Sequence, residues 1–175
     1  ALEEAISELD PAEAAGAEMP DQIGGTLHLF SDGGSRGNPG DAAIGFVLED
    51  PARGVTLEAK GDRIGIETNN VAEYRALIEG LKTAEKYQPN RLVCHLDSEL
   101  IVKQMNGEYR VKMPALQPLH EEVSTLAMRF ADVVFKHIPR SDNHRADALV
   151  NLALDTQPPP RPRVVRPPHR MDLGF

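Results

Sequence analysis

The chain alternates between two hydrophobic rhythms. Short apolar runs bounded by turn residues predict strands over residues 26–31, 42–49, 55–61, 91–96 and 133–138. From residue 70 to 87 the apolar positions are Val71, Tyr74, Ala76, Leu77, Ile78 and Leu81, a helical stripe that Pro89 and Asn90 bring to an end. Three more helices are predicted. One covers 98–105, with Ser98 as N-cap and Asn106-Gly107 as its stop. One covers 114–129, interrupted near Pro118. The last covers 143–154, with Asn143 as N-cap. The segment from Asp50 to Gly54 joins the second and third strands as a hairpin. The order β-β-β-α-β-α-α-β-α implies an α/β domain. Its mixed five-stranded sheet has three antiparallel strands, then parallel ones, with helices on both faces.

The two ends of the chain lack this patterning. Residues 1–24 carry seven acids and no Lys or Arg, and few large apolar residues, so they read as a disordered acidic arm. Residues 156–175 interleave Pro158, Pro159, Pro160, Pro162, Pro167 and Pro168 with arginine, which reads as extended, polyproline-like chain. The folded domain is therefore expected over 25–155.

Charge and cysteine content narrow the class. The net charge is −8, and taking the arm and the tail away leaves the middle at −4. This is no generic basic DNA-coating protein. The lone cysteine, Cys94, lies in an apolar strand, which excludes an internal disulfide and a cysteine zinc site. It reads as a buried small hydrophobe. No apolar run reaches the length of a membrane span, and residues 1–24 lack the features of a secretory signal. A reducing cytoplasm fits.

Four acids sit in settings that point into a common site. Asp32 follows the apolar run 27–31 and precedes Gly33-Gly34. Asp97 follows the apolar run 92–96. Glu73 lies near the start of the helix predicted over 70–87, and Asp147 near the start of the last helix. Converging carboxylates repel one another unless a cation lies between them. For Glu73 or Asp147 alone, an ordinary acid in a first helical turn would suffice as explanation. For Asp32 and Asp97 together it does not. Hard oxygen ligands without a Cys or paired-His cluster suit Mg²⁺, with Mn²⁺ as a substitute, and such ions support hydrolysis of a phosphodiester.

These four acids in this order, with Asn38-Pro39-Gly40 and Thr68-Asn69-Asn70 between them, resemble the type 1 ribonuclease H family from about Thr26 to about Asp155. The resemblance implies the ribonuclease H-like fold. It also implies cleavage of the RNA strand of RNA/DNA hybrids by two metal ions, leaving 3′-hydroxyl and 5′-phosphate ends. By resemblance Asp32 bridges both ions, Asp97 and Glu73 hold one, and Asp147 holds the other. Asn38 and Asn70 would contact the two strands in the minor groove, with Asn69 nearby and Thr68 in a phosphate pocket. Gly33 and Ser98 join this substrate-binding set. Amide side chains can engage both a 2′-hydroxyl and base edges, which is how RNA is told from DNA. Helix capping is the alternative reading for Asn69 and Asn70. The segment 33–40 reads as a permissive glycine loop that lets backbone N–H groups approach a nucleic-acid backbone.

Assistance to proton transfer or product release falls to one of two residues. His137 lies ten positions before Asp147, the spacing of a mobile histidine in bacterial members of the family. The segment 135–140 is more similar to an archaeal-style branch in which an arginine approaches the site, and this favours Arg140. The chain departs from the bacterial pattern elsewhere. Residues 106–117 are short, hold only Arg110 and Lys112 as basic residues, and the chain has no Trp. Glu99 stands where a glutamine is familiar. It therefore resembles a protrusion-less type. The arginines of the tail either supply the missing phosphate contacts or only aid solubility. A transposase-like or junction-cutting nuclease and a non-catalytic hybrid-binding module are the other readings. The protein is expected to be a monomer with an RNA/DNA hybrid as partner and no membrane partner.

Overall fold

The computed structural model describes residues 24–161, so the acidic arm and residues 162–175 of the tail lie outside the described residues. Nine elements follow one another. They are β1 (Thr26–Gly37), β2 (Gly40–Asp50), β3 (Val55–Glu67), α1 (Asn69–Glu85), β4 (Arg91–Leu96), α2 (Glu99–Met105), α3 (Gln117–Ala127), β5 (Val133–His137) and α4 (His144–Thr156). A short 3-10 turn, Arg140–Asn143, leads into α4.

The strands form one sheet in the order β3-β2-β1-β4-β5. The pairs β1–β2 and β2–β3 are antiparallel, and β1–β4 and β4–β5 are parallel. This is the expected α/β class and the expected mixed sheet. Alternation within the strands decides which face is covered. Leu27 and Leu29 of β1, Phe46 and Leu48 of β2 and Leu92, Cys94 and Leu96 of β4 are all buried. They meet Tyr74, Leu77 and Leu81 of α1, Ile101 of α2, and Val123 and Leu126 of α3 in one core. Cys94 is a fully buried free thiol, and burial pushes its pKa up.

α4 covers the opposite face, where Ala43 packs with Val150, Ala153 and Leu154. A cross-strand glycine pair, Gly45 and Gly61, forms its seat. A Cβ on Gly45 would lie 2.4 Å from the Ala146 carbonyl oxygen, and one on Gly61 2.5 Å from that of Leu149. Only glycine lets the helix backbone settle this close. Beyond α4 the Gln157 side chain mimics a strand amide at the β3 edge: its Nε2 donates to the Gly61 carbonyl (2.7 Å), and its Oε1 accepts from the Arg63 N–H (2.9 Å).

Several local expectations change. Residues 33–37 are not a loop but the second half of β1, paired with residues 40–44 of β2, so only Asn38 and Pro39 make the turn. Asp32 accordingly lies within β1, opposite Gly45, rather than at a strand's end. β3 runs on to Glu67. α3 begins at Gln117, so Pro118 occupies its first turn, where a missing N–H costs nothing, instead of interrupting it. Asn143 makes no side-chain cap to α4.

Candidate active site

The site assembles where β1, the end of β4 and the N-terminal parts of α1 and α4 meet. Asp32 and Glu73 are buried, at 6% and 8% exposure. Asp97 follows directly on β4. One carboxylate oxygen each from Asp32, Glu73 and Asp97 lies within 4.8 Å of the others. Asp147 is not in that close group, but its charge adds to the rise of the Asp32 pKa and it lines the same cavity of about 390 Å³. Arg140, Asn69 and Ser98 also line it.

Glu73 reaches the site because α1 lies against β1 at Gly33, where a Cβ would be 2.2 Å from the Ala72 carbonyl carbon. The Gly33 N–H also favours the charged form of the Glu73 carboxylate. Glu73 sits in the second turn of α1, on its buried face, so attraction to the helix N-terminus does not account for it. Asp147 does lie in the first turn of α4.

The electrostatics follow from burial and like charge. Burial raises the Asp32 pKa to about 7. A hydrogen bond with Glu73 works against this rise, and the charges of Asp97 and Asp147 add to it. Glu73 is raised well above the usual carboxylate range, first by burial and then by Asp32. Asp97 is raised by burial, against hydrogen bonding from Asn143 and the nearby Arg140 charge. One oxygen of Glu73, Oε2, is buried with no hydrogen-bond partner. A buried polar atom left unpaired in a native fold calls for an explanation, and a bound ion is one. Clustered oxygens with raised pKa values and an orphaned acceptor are the donor set of a hard divalent cation. The residues present fit such an ion.

The remaining expected residues divide. Arg140 is highly exposed, with its guanidinium 4.0 Å from the Asp147 carboxylate. His137 ends β5 outside the cavity lining, its Nε2 3.2 Å from the Asp97 carbonyl oxygen. Thr68 is the N-cap of α1, accepting from the Val71 N–H, and Ser98 caps α2 through the Ile101 N–H. Asn69 accepts from the Ser35 N–H (2.9 Å), and its own N–H donates to the Asn38 Oδ1 (3.1 Å). Asn38 and Asn69 thus form one exposed ledge beside the carboxylates. Asn70 stands next to it, half-buried, and does not line the cavity. Ser35 and Asn143 were not among the expected site residues. Ser35 was hidden in a segment read as a loop, and Asn143 in a helix start.

A family model described as reverse transcriptase-like matches residues 30–153. Over 145 residues the chain is 41% identical to ribonuclease HI of Halobacterium salinarum, covering 83% of this chain and 72% of that protein. The chain belongs to the type 1 ribonuclease H family. A solved type 1 ribonuclease H, LC11-RNase H1 in complex with an RNA/DNA hybrid, is 44% identical over 74% of this chain and 96% of its own, with a TM-score of 0.69. A bifunctional protein of Mycobacterium tuberculosis is 42% identical over 127 residues, and this chain spans 35% of its length. As a ribonuclease H the protein is a nuclease of the hydrolase class. Among the described residues no helix is long and apolar enough to cross a membrane.

Proposed function

We propose that the protein is an endonuclease that hydrolyses the RNA strand of RNA/DNA hybrids with two divalent ions, leaving 3′-hydroxyl and 5′-phosphate ends. The observation that carries this reading is the trio of carboxylate oxygens within 4.8 Å, two of them on buried side chains. Asp32, Glu73 and Asp97 would hold one ion, and Asp32 with Asp147 the second. Mg²⁺ suits the all-oxygen set, and Mn²⁺ can replace it. Bound there, such ions supply an activated water and neutralise charge developing on the phosphate.

The chain's own residues do the rest. The buried carboxylates give up their protons on loading, because their raised pKa values fall when a cation arrives. The Asn38–Asn69 ledge and Asn70 present amides to the minor groove, where 2′-hydroxyls mark the RNA strand. Thr68 and Ser98, which cap their helices, also offer hydroxyls to phosphate oxygens. Arg140 carries positive charge to the rim beside Asp147. We also assign residues 25–155 as the catalytic domain, flanked by the acidic arm and the Pro/Arg tail, and expect a monomer working in the cytoplasm.

End analysis tests the chemistry. Fragments that a polymerase extends directly, and that a 5′-phosphate-dependent exonuclease degrades, are expected. Fragments with 3′-phosphate ends would overturn the two-ion hydrolysis.

A further inference from the structure

Asn143 is 1% exposed, in the 3-10 turn ahead of α4. A helix-start asparagine ordinarily turns its side chain back to cap the helix. This one makes no cap hydrogen bond. Its Nδ2 instead crosses 112 positions of sequence to donate to the Ser31 carbonyl oxygen, at 2.9 Å. Ser31 immediately precedes Asp32. The same amide also favours the charged form of the Asp97 carboxylate. An amide nitrogen has two N–H groups. Here one is spent on β1 beside Asp32, which leaves the other for the neighbouring acid that follows β4. The residue itself belongs to the segment that delivers Asp147, four positions on. Its Oδ1 is buried and has no partner among the described residues. The side chain is therefore held by what it donates, not by what it accepts.

We propose that Asn143 is a positioning residue that fixes the Asp97 carboxylate relative to Asp32, and so sets the spacing of the cation site. This rests on the reading of the carboxylates as a divalent-ion site. The carboxylates repel one another, so without a fixed donor Asp97 would rotate toward solvent whenever the site is empty. The Nδ2 group opposes that rotation. It links the strand that carries Asp32 to the residue that ends β4, and leaves the oxygens of Asp32 and Glu73 free. A preorganised ligand set binds an ion more tightly, because less ordering remains to be done on binding.

Asn143→Leu keeps the branched side-chain shape and removes both donors. Mn²⁺ binding is measured calorimetrically on the full chain without nucleic acid, alongside hybrid cleavage over a range of Mg²⁺ concentrations. The expected result is Mn²⁺ binding weakened at least fivefold and a half-maximal Mg²⁺ concentration raised at least fivefold. KM for the hybrid should stay within about twofold. A general packing role would lower Tm without this split between metal dependence and KM. Unchanged Mn²⁺ binding in a folded variant would overturn the proposal. A second measurement needs no variant: in the wild-type protein the Asn143 side-chain amide protons should exchange slowly and shift on Mg²⁺ addition. Fast exchange of both protons would also overturn it. Wild-type protein that binds Mn²⁺ yet leaves hybrids uncut would sink the proposed activity and leave the role of Asn143 standing.

Discussion

Asp32 concentrates the tension between burial and charge. Its pKa is raised to about 7, mainly by burial. A carboxyl whose folded-state pKa is raised stabilises the fold while protonated. That contribution is complete below its unfolded value and is lost as pH rises through the folded one. In EDTA, stability should therefore fall as pH climbs from about 4 to about 8, by on the order of 2–4 kcal/mol for this group. Adding Mg²⁺ at pH 8 should restore it. Asp32→Asn removes the charge and should raise the metal-free Tm at pH 8 while abolishing cleavage; denaturation in EDTA and a turnover assay check both halves. A variant that is less stable in EDTA would contradict the account. At the rim, Arg140→Ala should lower kcat more than His137→Ala, because Arg140 lines the cavity and His137 does not. Equal, near-wild-type rates would remove the assignment. The four acids were legible in the sequence because each interrupts an apolar run or begins a helix in a recognisable neighbourhood. Asn143 was not. Local sequence describes it fully as a cap, and the contact that redirects it comes from Ser31, far along the chain.

At the scale of elements, α4 is placed by what is missing beneath it. Gly45 and Gly61 are opposite each other on β2 and β3, and the helix backbone rests on both. Gly45→Ala should push α4 outward, costing about 1–3 kcal/mol by overpacking. Because α4 carries Asp147, kcat should fall by more than tenfold, with KM for the hybrid little changed. Urea denaturation and steady-state kinetics measure the two effects. Wild-type kinetics in a destabilised Gly45→Ala variant would separate the seat from the site. The elements themselves were largely readable, since apolar spacing distinguishes strand from helix in nearly every case. Their lengths were not. Gly33, Gly34, Ser35, Arg36 and Gly37 have the composition of a loop, yet pairing with β2 makes them strand. Pairing partners, not composition, decide where a strand ends. Pro118 was misplaced for a related reason: a proline stops a helix in its interior but suits its first turn.

For the molecule as a whole, the mixed sheet, antiparallel strands first and then parallel ones, was implied by the succession of strands and helices. The net charge of −8 was not informative about nucleic acid. Its meaning depends on place: Asp32, Glu73, Asp97 and Asp147 face one cavity, where a pair of divalent ions would cancel them. The described surface around this site offers amides and two guanidiniums, Arg36 and Arg140, rather than a broad basic face, so hybrid binding should depend on metal as well as on phosphate contacts. The measurement that tests the central claim most directly compares labelled RNA/DNA, RNA/RNA and DNA/DNA duplexes with Mg²⁺, Mn²⁺ or EDTA, using the wild-type protein and Asp32→Asn. The account predicts cleavage confined to the RNA strand of the hybrid, absent in EDTA and in the variant. Cleavage of plain DNA, or hybrid cleavage that persists in EDTA or in Asp32→Asn, would contradict it.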